Sequence, residues 1–390
     1  RMIPYGRQNI SDEDIRAVVE ALTSDWLTQG PAVPRFEEAL MQAMTAAHAV
    51  ALTNATSALH VACLAIGLGP GDILWTVPNT FVASANCGLY CGAAVDFVDI
   101  DPATRNMSVT ALEKKLEDAR KTGHLPRVVI PVHFAGHSCD MAAIARLSRE
   151  YGFRVIEDAA HAIGGTYDGG PVGDCRYSDI AILSFHPVKI VTTGEGGAAV
   201  TQDAALADRM RLLRTHGITR DMDRLPLNAG AWYYEQRALG FNLRMTDIQA
   251  ALGASQMTRL HDFVAAREAL ASRYDEMLSG LPLKLPPRQA HIRSAWHLYT
   301  VEIEDDDDAP ESHGARRAHV FEKMRKAGIG VNVHYIPVHW QPWYREMGFR
   351  PGDFPAAEHY YRRALTLPLF PDHGNAEQDE VVAAMKEALS

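Results

Sequence analysis

The stretch HAVALTNATSALHVACLAIGLGPGD, residues 48–72, holds one complete β-to-α transition. Its apolar run from His48 ends at the polar turn around Asn54, and from Ser57 to Ile66 the apolar residues recur with helical period until GLGPGD stops them. Outward from it, HAVALT, VDFVDI, RVVIPVHF, FRVIEDAA, DIAILSF and GGAAVT read as strands, several apolar enough to be buried on both faces. MAAIARLSREYG, residues 141–152, lies between two of these runs, has helical period and closes on a glycine suited to a C-cap. Strands alternating with helices give the fold class α/β with a mainly parallel, helix-covered sheet.

Beyond Gly197 the pattern turns helical. DAALADRMRLLRTHG comes first, then TDIQAALGASQMTRL, in which Thr246 and Gln249 carry a capping-box signature, then a segment reaching about Ser279. LPLKLPPRQ reads as a proline-broken connector, and the acidic run EDDDDAPES, residues 304–312, as a solvated loop. HLYTVEIE, the helix of HVFEKMRKAG, GIGVNVHY and a last helix, EQDEVVAAMKEALS, suggest a smaller α+β unit. The expected division is a large domain over residues 1–260 and a small one over 261–390.

Composition bounds the function. A chain of 390 residues that is 47% hydrophobic and 22% charged is globular and long enough for two domains. A net charge of -10 excludes a general nucleic-acid surface, so a phosphate ligand has to be held locally. The five cysteines form no CxxC pair, which points to a reduced, cytoplasmic protein and to no metal centre. RMIPYGRQNISDED lacks an apolar core, and the longest apolar run, around LHVACLAIGLG, is too short to span a bilayer.

Four features carry chemistry. Lys189 in SFHPVKIVTTGEGGA, residues 184–198, stands between Val188 and Ile190, where apolar surroundings disfavour its charged form and free the amine as a nucleophile; a lysine so placed also suits snorkelling to solvent. Asp158 in VIEDAAHA falls at the C-terminal end of a strand, the edge where open α/β sheets bind ligands, and suits either a cationic partner or a helix cap. The turn before Ala55, Thr56 and Ser57 opens a helix whose amides and hydroxyls can cradle a phosphate, although capping by Asn54 or Thr56 explains the same residues. Phe81 in TVPNTFVASAN suits the face of a planar ring or the core. An amine, an acid, a phosphate cradle and a stacking face together match what pyridoxal 5'-phosphate (PLP) requires. GEGG is not a dinucleotide fingerprint, because a strand-like run follows it. His186, beside the lysine, is a candidate substrate contact, while His216 in RTHGI and His297 in WHLY read as structural histidines.

In this order SDWLTQGPAVPRFEEAL, NATSALHVACLAIGLGPGD, EDAAHA, SFHPVK, RTHGI, GFNLRMTDIQAALG and VHYIPVH resemble, over nearly the whole chain, the landmarks of the DegT/DnrJ/EryC1/StrS sugar aminotransferases of fold-type I. The resemblance implies a seven-stranded, mainly parallel sheet and PLP as cofactor, with pyridoxamine 5'-phosphate as its alternate form. It implies that Lys189 forms the imine with the cofactor and moves the proton. Asp158 then pairs with the pyridine nitrogen, His161 lies near the ring hydroxyl, and Phe81 stacks. Ala55, Thr56, Ser57 and Ser184 would hold the phosphate, with Asn242 reaching in from the other subunit of a homodimer. Tyr5, Trp26, Leu27, Thr28, His334 and Tyr335 would line the sugar-nucleotide pocket. L-Glutamate is the implied amino donor. Within the family, SFHPVKIVTTGEGGA, MIPYGRQNISDEDI and VHFAGH are most similar to the branch that aminates C4 of UDP-linked 4-keto-6-deoxy sugars in pseudaminic acid synthesis. Arabinose-type and dTDP-sugar substrates rank second, and a non-catalytic PLP-binding regulator is the remaining alternative. The pyridoxamine-dependent dehydratases of the same fold carry histidine where this chain has Lys189.

Overall fold

A computed structural model describes residues 1–227 and 229–390. Seven strands form the main sheet: β1 (His48–Leu52), β2 (Ile73–Thr76), β3 (Ala94–Phe97), β4 (Val128–Val129), β5 (Arg154–Asp158), β6 (Ile180–Ser184) and β7 (Gly197–Thr201). Their order is β1-β7-β6-β5-β4-β2-β3. β7 pairs antiparallel with β1 and β6, and every other pairing in the sheet is parallel.

Both faces of the sheet are covered, which is why its strands lack polar alternation. Val50, Leu52, Ile180 and Ile182 join the core beneath the helices Ala55–Ile66 and Ala204–Arg214. The intervening Ala49, Ala51, Ala181 and Leu183 pack on the opposite side with Phe36 and Leu40 of the helix Ala32–Met44. The period of two along each strand therefore divides two apolar layers rather than core from solvent.

β2 has no counterpart among the sequence-predicted runs, yet it lies inside the sheet between β3 and β4. Four residues between PGD and VPNT give too short a pattern to show a period. RVVIPVHF is corrected in the other direction. The regular strand stops at Val129, and only a bridge from Val132 to Asp158 continues it. Pro131 has no amide hydrogen to give the ladder, and a 3-10 turn follows over Phe134–Gly136. The capping box of Thr246 and Gln249 is present at the start of the helix Asp247–Met257. Residues 304–312 form a mostly exposed loop, in which Asp308 pairs with Arg363 at 3.2 Å.

A separate apolar core gathers Leu270 and Tyr274 of the helix Leu260–Leu278 with the three-stranded antiparallel sheet of Leu283–Lys284, Tyr299–Ile303 and Ala364–Leu367. The helices Ala315–Lys326 and Asn375–Leu389 complete it, and Ile3 joins it through a bridge to Ile329. GIGVNVHY contributes bridges at Ile329 and Asn332 rather than a regular strand. We propose that this core defines a small domain beginning with the helix Leu260–Leu278. Arg105, on the loop after β3, ties it to the large sheet. Its Nε and Nη2 lie 2.9 and 2.8 Å from Glu302 Oε2, and its Nη1 donates to the Thr300 carbonyl at 2.8 Å.

Candidate active site

The C-terminal ends of β1, β5 and β6 open onto a cavity of about 480 Å³. Parallel strands bring their C-terminal ends to one edge, and the chain's polar turns follow there. Lys189, Asp158, His161, Ser184, Phe81, Ala55, Thr56, His186, Tyr5, His334 and Tyr335 all line it. Residues separated by nearly the whole chain thus share one space.

Lys189 follows β6 in a tight turn, its amide donating to the His186 carbonyl at 2.9 Å. Burial pushes its ammonium down to about 8, against the opposing pull of the Asp158 carboxylate. Among the described residues, none accepts a hydrogen bond from Nζ, so the amine faces the cavity without a fixed partner. Asp158 is buried at the end of β5. Its Oδ1 accepts the Ala160 amide at 3.1 Å and its Oδ2 accepts the Ser84 hydroxyl at 2.6 Å. No regular helix follows Asp158, so its cap-like bond to Ala160 serves a turn while the carboxylate remains on the cavity wall.

At the cradle, Asn54 caps the helix Ala55–Ile66 by accepting the Ser57 amide at 2.8 Å. The amides of Ala55 and Thr56, at the first turn, find no acceptor among the described residues and end at the cavity. Ser57 itself is taken up by the cap, and its hydroxyl accepts from Thr53 at 3.2 Å, so it does not line the space. Gly197 stands opposite both Leu52 and Ser184 in the sheet, and a Cβ there would lie 2.3 Å from the Asn54 carbonyl carbon. Only glycine lets β7 pass beneath the turn. This backbone site needs no arginine, which is how an acidic chain can hold a phosphate.

The opposite wall is built from imidazoles and a phenol. His161 Nδ1 accepts the Ala135 amide at 3.0 Å, which puts the ring proton on Nε2, 3.1 Å from the Tyr335 hydroxyl oxygen. The Tyr335 hydroxyl hydrogen is then free for the cavity. Burial first, and then the charge of Lys189, hold His161 and His297 well below the usual histidine range, and His334 is pushed down to about 3 for the same reasons. All three imidazoles are therefore neutral at physiological pH. Phe81 is exposed at the rim, 59% accessible, rather than in the core.

Other predicted residues lie elsewhere. Trp26 lines a separate surface cavity with Pro31 and Asp247, the Leu27 carbonyl accepts the Asp247 amide at 2.9 Å, and Thr28 bridges Thr246. Asn242 is exposed, bridges Thr215, and does not line the Lys189 cavity. His216 is exposed outside it, its amide bonded to the Phe241 carbonyl. His297, expected to be structural, instead lines the cavity with its ring 4.4 Å from that of His161. Ser84 and Thr80 are absent from the sequence-based set; their position four residues apart in TVPNTFVASAN is the only signal that links them. Among the described residues no cluster suited to a metal ion occurs, and no helix is long and apolar enough to cross a membrane.

Known proteins share this architecture. The chain matches the DegT/DnrJ/EryC1/StrS aminotransferase family over residues 8–386. It is 38% identical to the spore coat polysaccharide biosynthesis protein SpsC of Bacillus subtilis, covering 99% of this chain and 97% of that protein. Helicobacter pylori PseC, an aminotransferase involved in the biosynthesis of pseudoaminic acid, superposes with a TM-score of 0.90 at 28% identity, over 100% of this chain and 99% of that one. The PLP form of Streptococcus pneumoniae Spr1654 superposes with a TM-score of 0.89 at 28% identity, over 100% and 99% of the two chains. A cavity that holds both an amine and a carboxylate, on a chain matched over residues 8–386, has one assignment: the protein belongs to the DegT/DnrJ/EryC1/StrS aminotransferase family and uses PLP.

Proposed function

We propose that this aminotransferase transfers the amino group of L-glutamate to C4 of a UDP-linked 4-keto-6-deoxy-N-acetylhexosamine, in a pathway of the pseudaminic acid type. The observation that carries the chemistry is the Lys189 amine, depressed to about 8 and without a hydrogen-bond acceptor among the described residues, in one cavity with Asp158. The likeness to PseC and the SFHPVKIVTTGEGGA segment support the substrate.

The donors present fit PLP. The amides of Ala55 and Thr56, which have no acceptor among the described residues, and the Ser184 hydroxyl would suit its phosphate, Asp158 a protonated ring nitrogen, Phe81 a ring face, and the His161–Tyr335 pair the ring hydroxyl. When bound, PLP supplies an aldehyde for amines and a ring that withdraws electrons from the reacting carbon. Lys189 then holds and returns the proton at the substrate carbon in both halves of the reaction, because a single amine near neutrality serves as acid and as base. Asp158, fixed by Ser84 and Ala160, keeps the ring nitrogen protonated by charge. Tyr5, His186, His334 and Tyr335, which line the same cavity, are assigned to contact with the substrate.

Among the described residues Lys189 is the only lysine or arginine lining the cavity, so a nucleotide diphosphate draws its counter-charge from elsewhere. We propose a homodimer in which a second copy brings Asn242 and Trp26, Leu27 and Thr28 to this space.

The depressed lysine makes a pH prediction. Below about 8 the amine is protonated and cannot attack the aldehyde, so the rate at which apoprotein captures PLP should rise about tenfold per pH unit up to that value and level off above it. Stopped-flow absorbance would show it; a rate flat from pH 6 to 9 contradicts the assignment. The substrate is tested by supplying glutamate with UDP-, dTDP-, CDP- and GDP-linked 4-keto-6-deoxy sugars, a dTDP-linked 3-keto sugar and UDP-4-keto-arabinose, and identifying the amino sugar by mass and NMR. Turnover of a dTDP-linked 3-keto sugar alone, or of UDP-4-keto-arabinose alone, overturns the substrate and leaves the PLP chemistry standing.

A further inference from the structure

Beside Asp158, on the wall of the same cavity, lies a chain of two buried hydroxyls. Ser84 is 1% and Thr80 3% exposed; Ser84 lies in the first turn of the short helix Ala83–Tyr90 and Thr80 three residues before its start, on the segment that also carries Phe81. Ser84 Oγ lies 2.6 Å from Asp158 Oδ2, and Thr80 Oγ1 lies 2.8 Å from Ser84 Oγ. The direction of these bonds follows from chemistry. An ionised carboxylate only accepts, so Ser84 spends its single hydrogen on Asp158. Ser84 Oγ is thereby left as an acceptor, and Thr80 must donate to it. Each bond polarises the next, and the terminal one is charge-assisted, matching its short length.

We propose that Thr80 and Ser84 form a one-way hydroxyl relay that positions Asp158 against the cofactor ring, with Ser84 as the positioning residue. The inference rests on the assignment of Asp158 to the ring nitrogen made above. The relay acts in two ways. It fixes the rotation of the carboxylate, since Oδ1 is held by the Ala160 amide and Oδ2 by Ser84, leaving the remaining lone pairs for the cavity. It also couples that carboxylate to the rim segment, so that the acid and the stacking residue Phe81 are placed by the same five residues, 80–84. An apolar side chain at position 84 would leave Oδ2 buried with one partner fewer, and Asp158 free to turn.

The test uses apoprotein titrated with PLP, read by absorbance and by quenching of tryptophan fluorescence, beside steady-state kinetics. Ser84→Ala should weaken PLP binding about 10-fold or more, the range for a lost hydrogen bond to a charged group. The band of the bound cofactor should move, and kcat should fall while the KM for glutamate changes little. Ser84→Thr keeps the hydroxyl and should restore affinity and spectrum to within about threefold. Thr80→Val removes only the outer, neutral link and should cost about 2- to 10-fold in affinity. Should Ser84→Ala not fold, the contrast between Thr80→Val and Ser84→Thr carries the test. Unaltered PLP affinity and spectrum in Ser84→Ala, or in Thr80→Val where that variant alone is soluble, overturns the relay. Asp158→Asn separates the two assignments: if it too leaves affinity and spectrum unchanged, the pairing of Asp158 with the ring nitrogen falls; if it changes both while Ser84→Ala changes neither, only the relay falls.

Discussion

Lys189→Ala is expected to lower kcat by at least about 10⁴-fold, the upper range for loss of a positioned acid–base group, with the covalent role lost in addition. The cavity explains why no other group can take over the covalent role, since among the described residues Lys189 is the one amine on its wall. His161, His297 and His334 are held far below the pH at which they would gain a proton, Tyr335 is pushed above the ordinary tyrosine range by burial, and Asp158 is occupied by two donors. Lys189→Arg should fail equally, because a guanidinium stays protonated and gives no free amine. Lys189→Ala should not unfold the protein, since the ammonium gains little from its setting and Ala removes a desolvation cost. Single-turnover kinetics with glutamate, alongside thermal melts, would measure both. Turnover within about tenfold of the parent would remove Lys189 from the mechanism.

For stability the largest expected effect lies far from the cavity. Arg105→Ala should destabilise the fold by about 3–5 kcal/mol, because it leaves Glu302 as a buried carboxylate without its principal partner. Arg105 is 1% exposed, and besides Glu302 it satisfies the Thr300 carbonyl and hydroxyl, both at 2.8 Å, and lies over the Tyr360 ring with its centroid 5.3 Å away. Lys284, at 3.5 Å from Glu302, is about half exposed and compensates weakly. Replacing both charges, Arg105→Met with Glu302→Leu, should recover part of the loss, since the desolvation cost of each charge disappears with it. Denaturant unfolding of the single and double variants decides. A loss below about 1 kcal/mol for Arg105→Ala would show that the pair is not what joins the small sheet to the large one.

Both expectations involve residues on which sequence and structure differ in what they reveal. Arg105 carried no signal, because its partner lies 197 positions away and a lone arginine in a loop is ordinarily solvated. Lys189 carried a partial one: its apolar neighbours were visible, but snorkelling and function predict the same local pattern. His297 carried a partial signal for a related reason. WHLY looks like the start of a core strand, and a long-range bond from the Leu298 amide to the Ala135 carbonyl at 3.3 Å accompanies the placing of that imidazole beside His161. The hydroxyls of Ser84 and Thr80 were invisible as a pair because short-range spacing does not say that a helix start will face a strand end.

What the order of residues determined by itself was the local repertoire: β-branched runs dense enough for two-faced burial, helix stops at Gly67 and Gly152, the capped turn before Ala55, and the motifs that mark the family. These depend on interactions within a few positions, where propensity and capping act. The tertiary structure alone decided the order β1-β7-β6-β5-β4-β2-β3, the inclusion of the short β2, and the meeting of residues 5, 55, 158, 189 and 335 around one cavity. Those outcomes depend on which strands bury which faces against which helices, a sum over contacts far apart in the chain that no local pattern encodes.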